Sequence, residues 1–501
     1  MAEAQSISIG AKLKEAGRHT IIYGMGTVVQ SASGLILLPI LTGALTKEDF
    51  GAYSLILMAS SIASAVFYFG MTSALPRSYF DYESIDDRRA VFTTAFIVLL
   101  AGALLQSGFG RLFGAEISNL LTGGSQYADA VCFALMGGAV GFVNAYFFAY
   151  LRLLRKSIAS VLLSIISLVG TIGLTLHLLS LHPGNVVVPF EAMAYAQATI
   201  AIYFVFIYGR SAFILRIMRK ELPNLLHFGV TSIVASFGSL LIESLDRLMI
   251  QHFMGLAEVG TFSAAMRVSM LINVILILPF TQIWSPMMLE YRTKANISEL
   301  FTVVFSVFMM SGGVVVIVAS LFATEFLPVL IRSGLNSAVV FVFLTCILGL
   351  LIFGATNLLS AGLFYERKVH LLPFAYYGVA LVKFCGNLLL IPLWGVAGAT
   401  LSAFLSYLAL PIAVYAISKK YFSFRIEWAR LGAFIAIMAP SLLYGYYSAF
   451  YPPENIYLRL AGLVITLLLV YKLCLSAPER HSIAALLKQR TPKSDLALPK
   501  P

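Results

Sequence analysis

Fourteen blocks of apolar residues, each long enough to cross a bilayer, constrain this chain more than any other feature. A helix needs roughly 20 such residues to span the hydrocarbon. Helix is also the fold that pairs every backbone group within a single segment there. The blocks run over 20–45, 50–74, 90–110, 128–150, 158–180, 189–209, 224–253, 257–284, 300–323, 337–363, 371–391, 395–418, 430–450 and 456–476. Of 501 residues, 59% are apolar and 11% charged, where a soluble domain carries about 25% charged residues. That balance excludes a disordered chain, a nucleic-acid-binding basic domain and an ordinary soluble enzyme. The expected class is an all-α polytopic membrane protein with 14 transmembrane helices. The polar N-terminus carries Lys12, Lys14 and Arg18. The apolar stretch after it, about 25 residues, is too long for a cleaved signal peptide and reads as an uncleaved first span.

The loops test this count. With the N-terminus placed in the cytoplasm, alternation assigns 27 of the 34 Lys and Arg to inside segments, four (Lys47, Arg111, Arg332, Arg459) to outside ones, and three to membrane depth. Cytoplasmic loops of membrane proteins collect cations in this way, so both termini are expected on the cytoplasmic side of the inner membrane. The same bias accounts for the net charge of +11 without nucleic acid. Cys132, Cys346, Cys385 and Cys474 sit inside apolar stretches and read as buried free thiols, with no disulfide framework. The histidines lack metal-ligand spacing. No P-loop, nucleophile constellation or paired carboxylates at a soluble site occur, so neither cofactor nor catalysis is expected.

The chain also repeats itself. Glu48-Asp49-Phe50-Gly51-Ala52-Tyr53-Ser54 and Ala257-Glu258-Val259-Gly260-Thr261-Phe262-Ser263 share an acid–apolar–Gly–x–aromatic–Ser pattern 209 residues apart. Pro76 matches Pro286 at an offset of 210, and Arg155-Lys156 matches Arg367-Lys368 at 212. Six spans fit within that offset, so the two copies enter the membrane in the same orientation. Parallel repeats of this kind are a transporter architecture with the substrate path between them. The expected division is an N-terminal lobe over 1–220, a C-terminal lobe over 221–428, an appended helix pair over 429–477 and a cytoplasmic tail over 478–501. The repeated glycine is expected to serve a tight outside turn, with the acid before it capping the next helix.

These two corners, with Ile391-Pro392-Leu393-Trp394-Gly395-Val396-Ala397-Gly398-Ala399 between the eleventh and twelfth spans, resemble the polysaccharide transporters of the multidrug/oligosaccharidyl-lipid/polysaccharide exporter superfamily. The O-antigen and capsule oligosaccharide flippases are the branch they look most like. The resemblance covers 20–476. It implies two six-helix bundles around a central cavity that opens alternately to each face. It also implies a cargo of undecaprenyl-pyrophosphate-linked oligosaccharide, moved from the cytoplasmic to the periplasmic leaflet.

An ionisable side chain at membrane depth costs several kcal/mol and is a functional candidate by default. The first lobe has no acid well inside a span. The second has Glu243, Asp246 and Arg247 in the seventh span, Arg267 in the eighth and Lys383 in the eleventh, all in the outer half. Glu243 and Arg247 share a helix face at i,i+4 and are expected to pair. Three readings stand. The charges neutralise one another and hold the lobe together; or Arg247, Arg267 and Lys383 form a cationic pocket for pyrophosphate; or Glu243 or Asp246 couples transport to H+ or Na+. At the inside boundary, Arg77 is expected either to set topology or to capture the lipid pyrophosphate first.

Amides within spans (Gln30, Asn144, Asn273, Gln282, Asn357, Asn387) suit interhelical hydrogen bonds. Asn144, Asn273 and Asn387 lie at the depth where sugar hydroxyls would pass. Pro39 and Pro279 interrupt the first and eighth spans and are candidate hinges or static kinks. The expected partners are the lipid-linked oligosaccharide, membrane lipids, a coupling H+ or Na+ and the polysaccharide polymerase machinery. A cation-coupled multidrug exporter is the alternative, although cationic drugs call for acids that the first lobe lacks. A peptidoglycan-precursor flippase is a third reading. A membrane polymerase or ligase is disfavoured, because the longest outside loop is 17 residues (111–127).

Overall fold

The computed structural model describes residues 33–293, 296–451 and 456–474. Lys12, Lys14, Arg18, Gln30, residues 20–32 of the first expected span, Lys294 and the chain beyond 474 lie outside the described residues. Among those described, every regular element is helical. Thirteen stretches are long and apolar enough to cross a membrane, and each overlaps one expected block. The first block is represented by its described part, the apolar helix Ser33–Ala44 (α1). The chain is a multi-pass membrane protein.

Lys47–Phe67 (α2) and Met71–Tyr79 (α3) form the second span, followed by Ile85–Thr122 (α4), Ala128–Leu153 (α5), Ser157–Leu181 (α6) and Val187–Ala212 (α7). The second copy begins with Leu222–Met254 (α8), then Leu256–Ser269 (α9), a π-helical segment at Asn273–Ile277 and Leu278–Glu290 (α10). Ile297–Leu321 (α11), the short Ala323–Leu330 (α12), Ser337–Gly354 (α13), Thr356–Leu359 (α14) and Ala361–Tyr365 (α15) come next. Leu372–Trp394 (α16), Val396–Ser418 (α17), Trp428–Ser448 (α18) and Ile456–Leu469 (α19) complete the order. In the first copy α5 packs on α2, α4 and α7, and α6 on α7; in the second, α16 packs on α8 and α17, and α13 on α9 and α17.

Local geometry repeats with the sequence. Arg155 and Arg367 both take left-handed backbone, at φ 56° and 55°. In each, the next amide reaches back five residues, Lys156 N to the Leu151 carbonyl at 2.9 Å and Lys368 N to that of Leu363 at 2.7 Å. This six-to-one closure satisfies a carbonyl that the helix end would otherwise orphan.

The repeated glycines serve a different purpose from the expected one. Gly51 and Gly260 lie inside α2 and α9 rather than in a turn, and neither has a positive φ. They sit where the two helices cross. A Cβ on Gly51 would lie 2.9 Å from the Leu256 carbonyl carbon and 3.1 Å from Gly260 N. One on Gly260 would lie 3.1 Å from the Lys47 carbonyl carbon. The cap of α2 is Thr46, whose Oγ1 accepts from Asp49 N at 3.1 Å; the acid instead answers it from the first turn. A second glycine crossing closes the far end of α2. A Cβ on Gly229 of α8 would lie 3.1 Å from the Phe69 carbonyl carbon, and Gly70 adopts φ 64° there.

The eighth span leaves regular α-helix between Ser269 and Leu278, just ahead of Pro279. Pro279 stands in the first turn of α10, where its missing N–H costs little, and the π-helical turn just before it absorbs the change of register. Pro39 lies within α1, which continues through it. The connection between the copies is tied down. Arg89 Nη2 donates to the carbonyls of Arg210 and Phe213 at 2.6 and 2.8 Å. Tyr82 donates to Glu221 Oε1 at 2.7 Å, a bond that holds its hydroxyl pKa up to about 12.

Candidate functional site

Two polar chambers lie between the helices, and Arg267 lines both. The smaller, about 150 Å³, is bordered by α2, α8 and α9 and is lined by Glu243, Arg247 and Arg267 with Ser54, Ser61 and Ser263. It therefore sits at the junction of the two sequence copies, between the two glycine crossings. The larger, about 370 Å³, opens among α1, α2, α5, α6 and α7 and carries Asn144, Gln197 and a run of hydroxyls from α6.

The charges in the smaller chamber are held without being cancelled. Arg247 Nη1 donates to the backbone carbonyl of Glu243 at 2.9 Å and its Nε to Ser263 Oγ at 3.3 Å. The expected i,i+4 ion pair with the Glu243 carboxylate does not form. The neighbouring helix α9 offers Ser263, and the guanidinium turns toward it. Arg267 lies 5.7 Å from the ring centroid of Tyr53 and beside Gly34, where a Cβ would stand 3.9 Å from its guanidinium carbon. Among the described residues neither arginine is in an ion pair. Two cations and one carboxylate leave the chamber with a positive surplus.

Lys383 is elsewhere, and so is Asn387. Lys383 Nζ meets Asp246 Oδ2 at 2.6 Å, with the two side chains 0% and 2% exposed. It also donates to the Ile242 carbonyl and lies 5.4 Å from the Tyr407 ring centroid. Asn387 Nδ2 donates to Asp246 Oδ1 at 2.9 Å. The expected three-cation pocket is thus corrected to two. In a fully buried setting an unpaired charge is so costly that Asp246 closes on Lys383 and Asn387, which stand one helix turn apart on α16. Asp246 is already neutralised by an ammonium, so Glu243 is the carboxylate left facing the chamber.

The remaining expected residues divide between the chambers and the ends. Asn144 lines the larger chamber and donates to the Gln197 carbonyl and Oε1 at 2.8 and 2.6 Å. Asn273 begins the π-helical segment and lines neither chamber. Arg77 is exposed at the end of α3, stacked 4.7 Å from the ring centroid of Phe228 on α8. Sequence reading missed Gln197 and the α6 hydroxyls. Ser160, Ser164, Ser167, Thr171 and Thr175 recur every three or four residues, a stripe on one helix face. No group of histidines, cysteines and acids able to hold a metal occurs among the described residues.

A family model described as polysaccharide biosynthesis protein matches residues 16–292. No curated protein matches the sequence. Among solved structures, one titled lipid II flippase MurJ, inward closed conformation, superposes with a TM-score of 0.66 at 16% identity, covering 94% of this chain and 100% of that one. An inward-facing multidrug resistance MATE family transporter of the MOP superfamily gives 0.64 at 15% identity, covering 79% of this chain and 94% of its own. The MATE multidrug transporter DinF-BH gives 0.60 at 16% identity, with 84% and 98% covered. The fold is of the kind these transporters share.

Proposed function

This chain belongs to the polysaccharide biosynthesis protein family, and from that premise we propose that it is a flippase for undecaprenyl-pyrophosphate-linked oligosaccharide. It moves the cargo from the cytoplasmic to the periplasmic leaflet of the inner membrane by alternating access, for assembly of a surface polysaccharide. Both termini are cytoplasmic in this reading. The lobes comprise residues 1–220 and 221–428, with the helix pair over 429–477 appended. The observation that carries the proposal is the pair of unneutralised guanidiniums, Arg247 and Arg267, in a chamber between the sequence copies.

A pyrophosphate cannot cross hydrocarbon unaided, because burying an ion without a partner costs several kcal/mol or more. Guanidinium forks match phosphate oxygens bidentately and stay charged at any physiological pH. The chamber replaces the water the anion loses, while the polyprenyl tail stays in lipid. Arg77, at the inside end beside α8, makes the first headgroup contact. Pro39 and the break before Pro279 are where the helices bend. Glu243 is the group through which H+ or Na+ would act, and the polymerase machinery receives the product.

A multidrug exporter of cationic compounds fits poorly, because the charged chamber has two cations to one acid. A peptidoglycan lipid-precursor flippase shares the pyrophosphate chemistry and is favoured by the end-to-end superposition on the structure titled lipid II flippase. The test is a deletion strain complemented with Arg247→Ala or Arg267→Ala at normal protein levels. Loss of surface polysaccharide, with lipid-linked repeat units accumulating on the inner leaflet, is the expected result. Normal polysaccharide with both variants overturns the proposal. Arrest of cell-wall synthesis instead assigns the peptidoglycan precursor.

A further inference from the structure

The larger chamber has no place yet in the pyrophosphate chemistry, and its lining is of a different kind. Its one charged group is Arg267, at the boundary with the smaller chamber. The rest of the polar wall is amide and hydroxyl. Thr171 Oγ1 donates back along α6 to the Ser167 carbonyl at 2.8 Å, so its oxygen remains free to accept. Ser167 Oγ makes no hydrogen bond among the described residues and is half-buried. Asn144 is 1% exposed and uses its amide hydrogens on Gln197, leaving Oδ1 with no hydrogen-bond partner. That bond fixes Gln197 Oε1 as an acceptor and frees the Gln197 NH2 to donate. Asn144 Oδ1 is sealed from the cavity, so Asn144 acts by orienting the Gln197 amide, and Ser167, Thr171 and Gln197 are the groups that a ligand's hydroxyls would meet.

We propose that this chamber is the sugar subsite: it takes the pyrophosphate-proximal sugar of the lipid-linked glycan, with Ser167, Thr171 and Gln197 as specificity-determining residues and Asn144 positioning Gln197. The inference rests on the flippase reading and deepens it. A volume of about 370 Å³ lies within the roughly 300–1,000 Å³ of small-molecule sites. Its lining offers donors and acceptors but no acid, which suits a neutral polyhydroxylated ring and not a cationic drug. Arg267 bounds both chambers, and the first sugar is bonded directly to the phosphate, so the two subsites stand in the order the cargo requires.

Binding to the purified full-length protein is measured with two probes, undecaprenyl pyrophosphate and the same lipid carrying one N-acetylhexosamine. The wild type is expected to hold the glycosylated probe more tightly. Ser167→Ala with Thr171→Val removes two hydroxyls and is expected to weaken the glycosylated probe about tenfold while leaving the bare lipid unchanged. Gly141→Leu is the second variant: a Cβ at Gly141, which lines the chamber, meets nothing within 4 Å, so it fills the space without strain and is expected to act the same way. Arg267→Ala is expected to weaken both probes. Equal affinity of the wild type for the two probes, or equal loss of both in the chamber variants, overturns the subsite alone. Failure of the wild type to bind either probe overturns the flippase reading and the subsite with it.

Discussion

The two glycine crossings set up a test of alternating access with opposite signs at the two ends of α2. At the first, a methyl on Gly260 would overlap the Lys47 carbonyl oxygen and stand 3.1 Å from its carbon and 3.2 Å from Gly51 N. These neighbours are backbone, so no side chain can swing away and the helices themselves must part. The overlap with the Lys47 carbonyl oxygen is the deepest of these and asks for a separation of more than an ångström. Overpacking of this sort costs about 1–3 kcal/mol. The cost falls only on states in which the crossing is closed, so a two-state equilibrium shifts by about 5–150-fold. Gly260→Ala should favour opening at that end, assigned to the outside. Gly229→Ala, whose Cβ would crowd the Phe69 carbonyl, should favour the inside; Gly70 is avoided because its positive φ adds strain of its own. Ser61 lines the charged chamber. Ser61→Cys, in a chain without its native cysteines, reports accessibility to a membrane-impermeant thiol reagent. Labelling from outside should accelerate in Gly260→Ala and slow in Gly229→Ala. Equal acceleration in both would mean general loosening, and no change in either would remove the crossings from the gating mechanism.

Three further outcomes follow from the site. Lys383→Met leaves Asp246 buried without its partner and should cost about 3–5 kcal/mol, whereas adding Asp246→Asn should recover most of it; thermal unfolding in detergent measures both. Tyr82 is raised from 10.0 to about 12 by its bond to Glu221. Its contribution is therefore fully present below pH 10 and lost as pH rises through about 12, and the tyrosinate absorbance difference between wild type and Tyr82→Phe should titrate there instead of near 10. Glu243→Gln removes the negative charge facing two arginines and should tighten undecaprenyl pyrophosphate about fivefold or more, since neighbours ~4 Å apart interact by about 1 kcal/mol even with full water screening; a titration with that lipid decides it.

What the sequence made legible followed from one-dimensional rules. Blocks such as 337–363 and 395–418 identify themselves by length, and the repeat appears as paired left-handed caps at Arg155 and Arg367. The side-chain partners did not follow. Asp246 and Lys383 are 137 residues apart, and their pairing depends on how α8 meets α16, which spacing along either helix does not encode. Local spacing suggested Glu243 with Arg247, yet Ser263 on the adjoining helix supplied the better acceptor for the guanidinium. The glycine motif was recognisable as a repeat, but its reason lies in a helix crossing between copies. The α6 hydroxyls were visible as residues and silent as a site, because serine and threonine bond back to their own helix cheaply at membrane depth.

The position of Glu243 also bears on what would drive the export proposed above. A proton on Glu243 adds to the positive surplus and strengthens the hold on an anionic cargo, so proton and cargo bind together instead of competing. Linkage makes that reciprocal: cargo entering the chamber draws a proton onto the carboxylate, and its release lets the proton go. Carrying both outward would send protons against an inward gradient. The cargo's own charge works in the other direction. An anion leaving an inside-negative compartment gains about 2.3 kcal/mol per charge per 100 mV, and a proton carried along cancels one charge of that gain. Were Glu243 to keep its charge through the cycle, weakening the grip of Arg247 and Arg267 enough for release, the membrane potential would be left as the drive and the ion coupling proposed for Glu243 would fail. Transport into vesicles decides between the two: a response to a pH gradient supports Glu243 as the coupling group, and a response to an imposed potential alone removes it from that role.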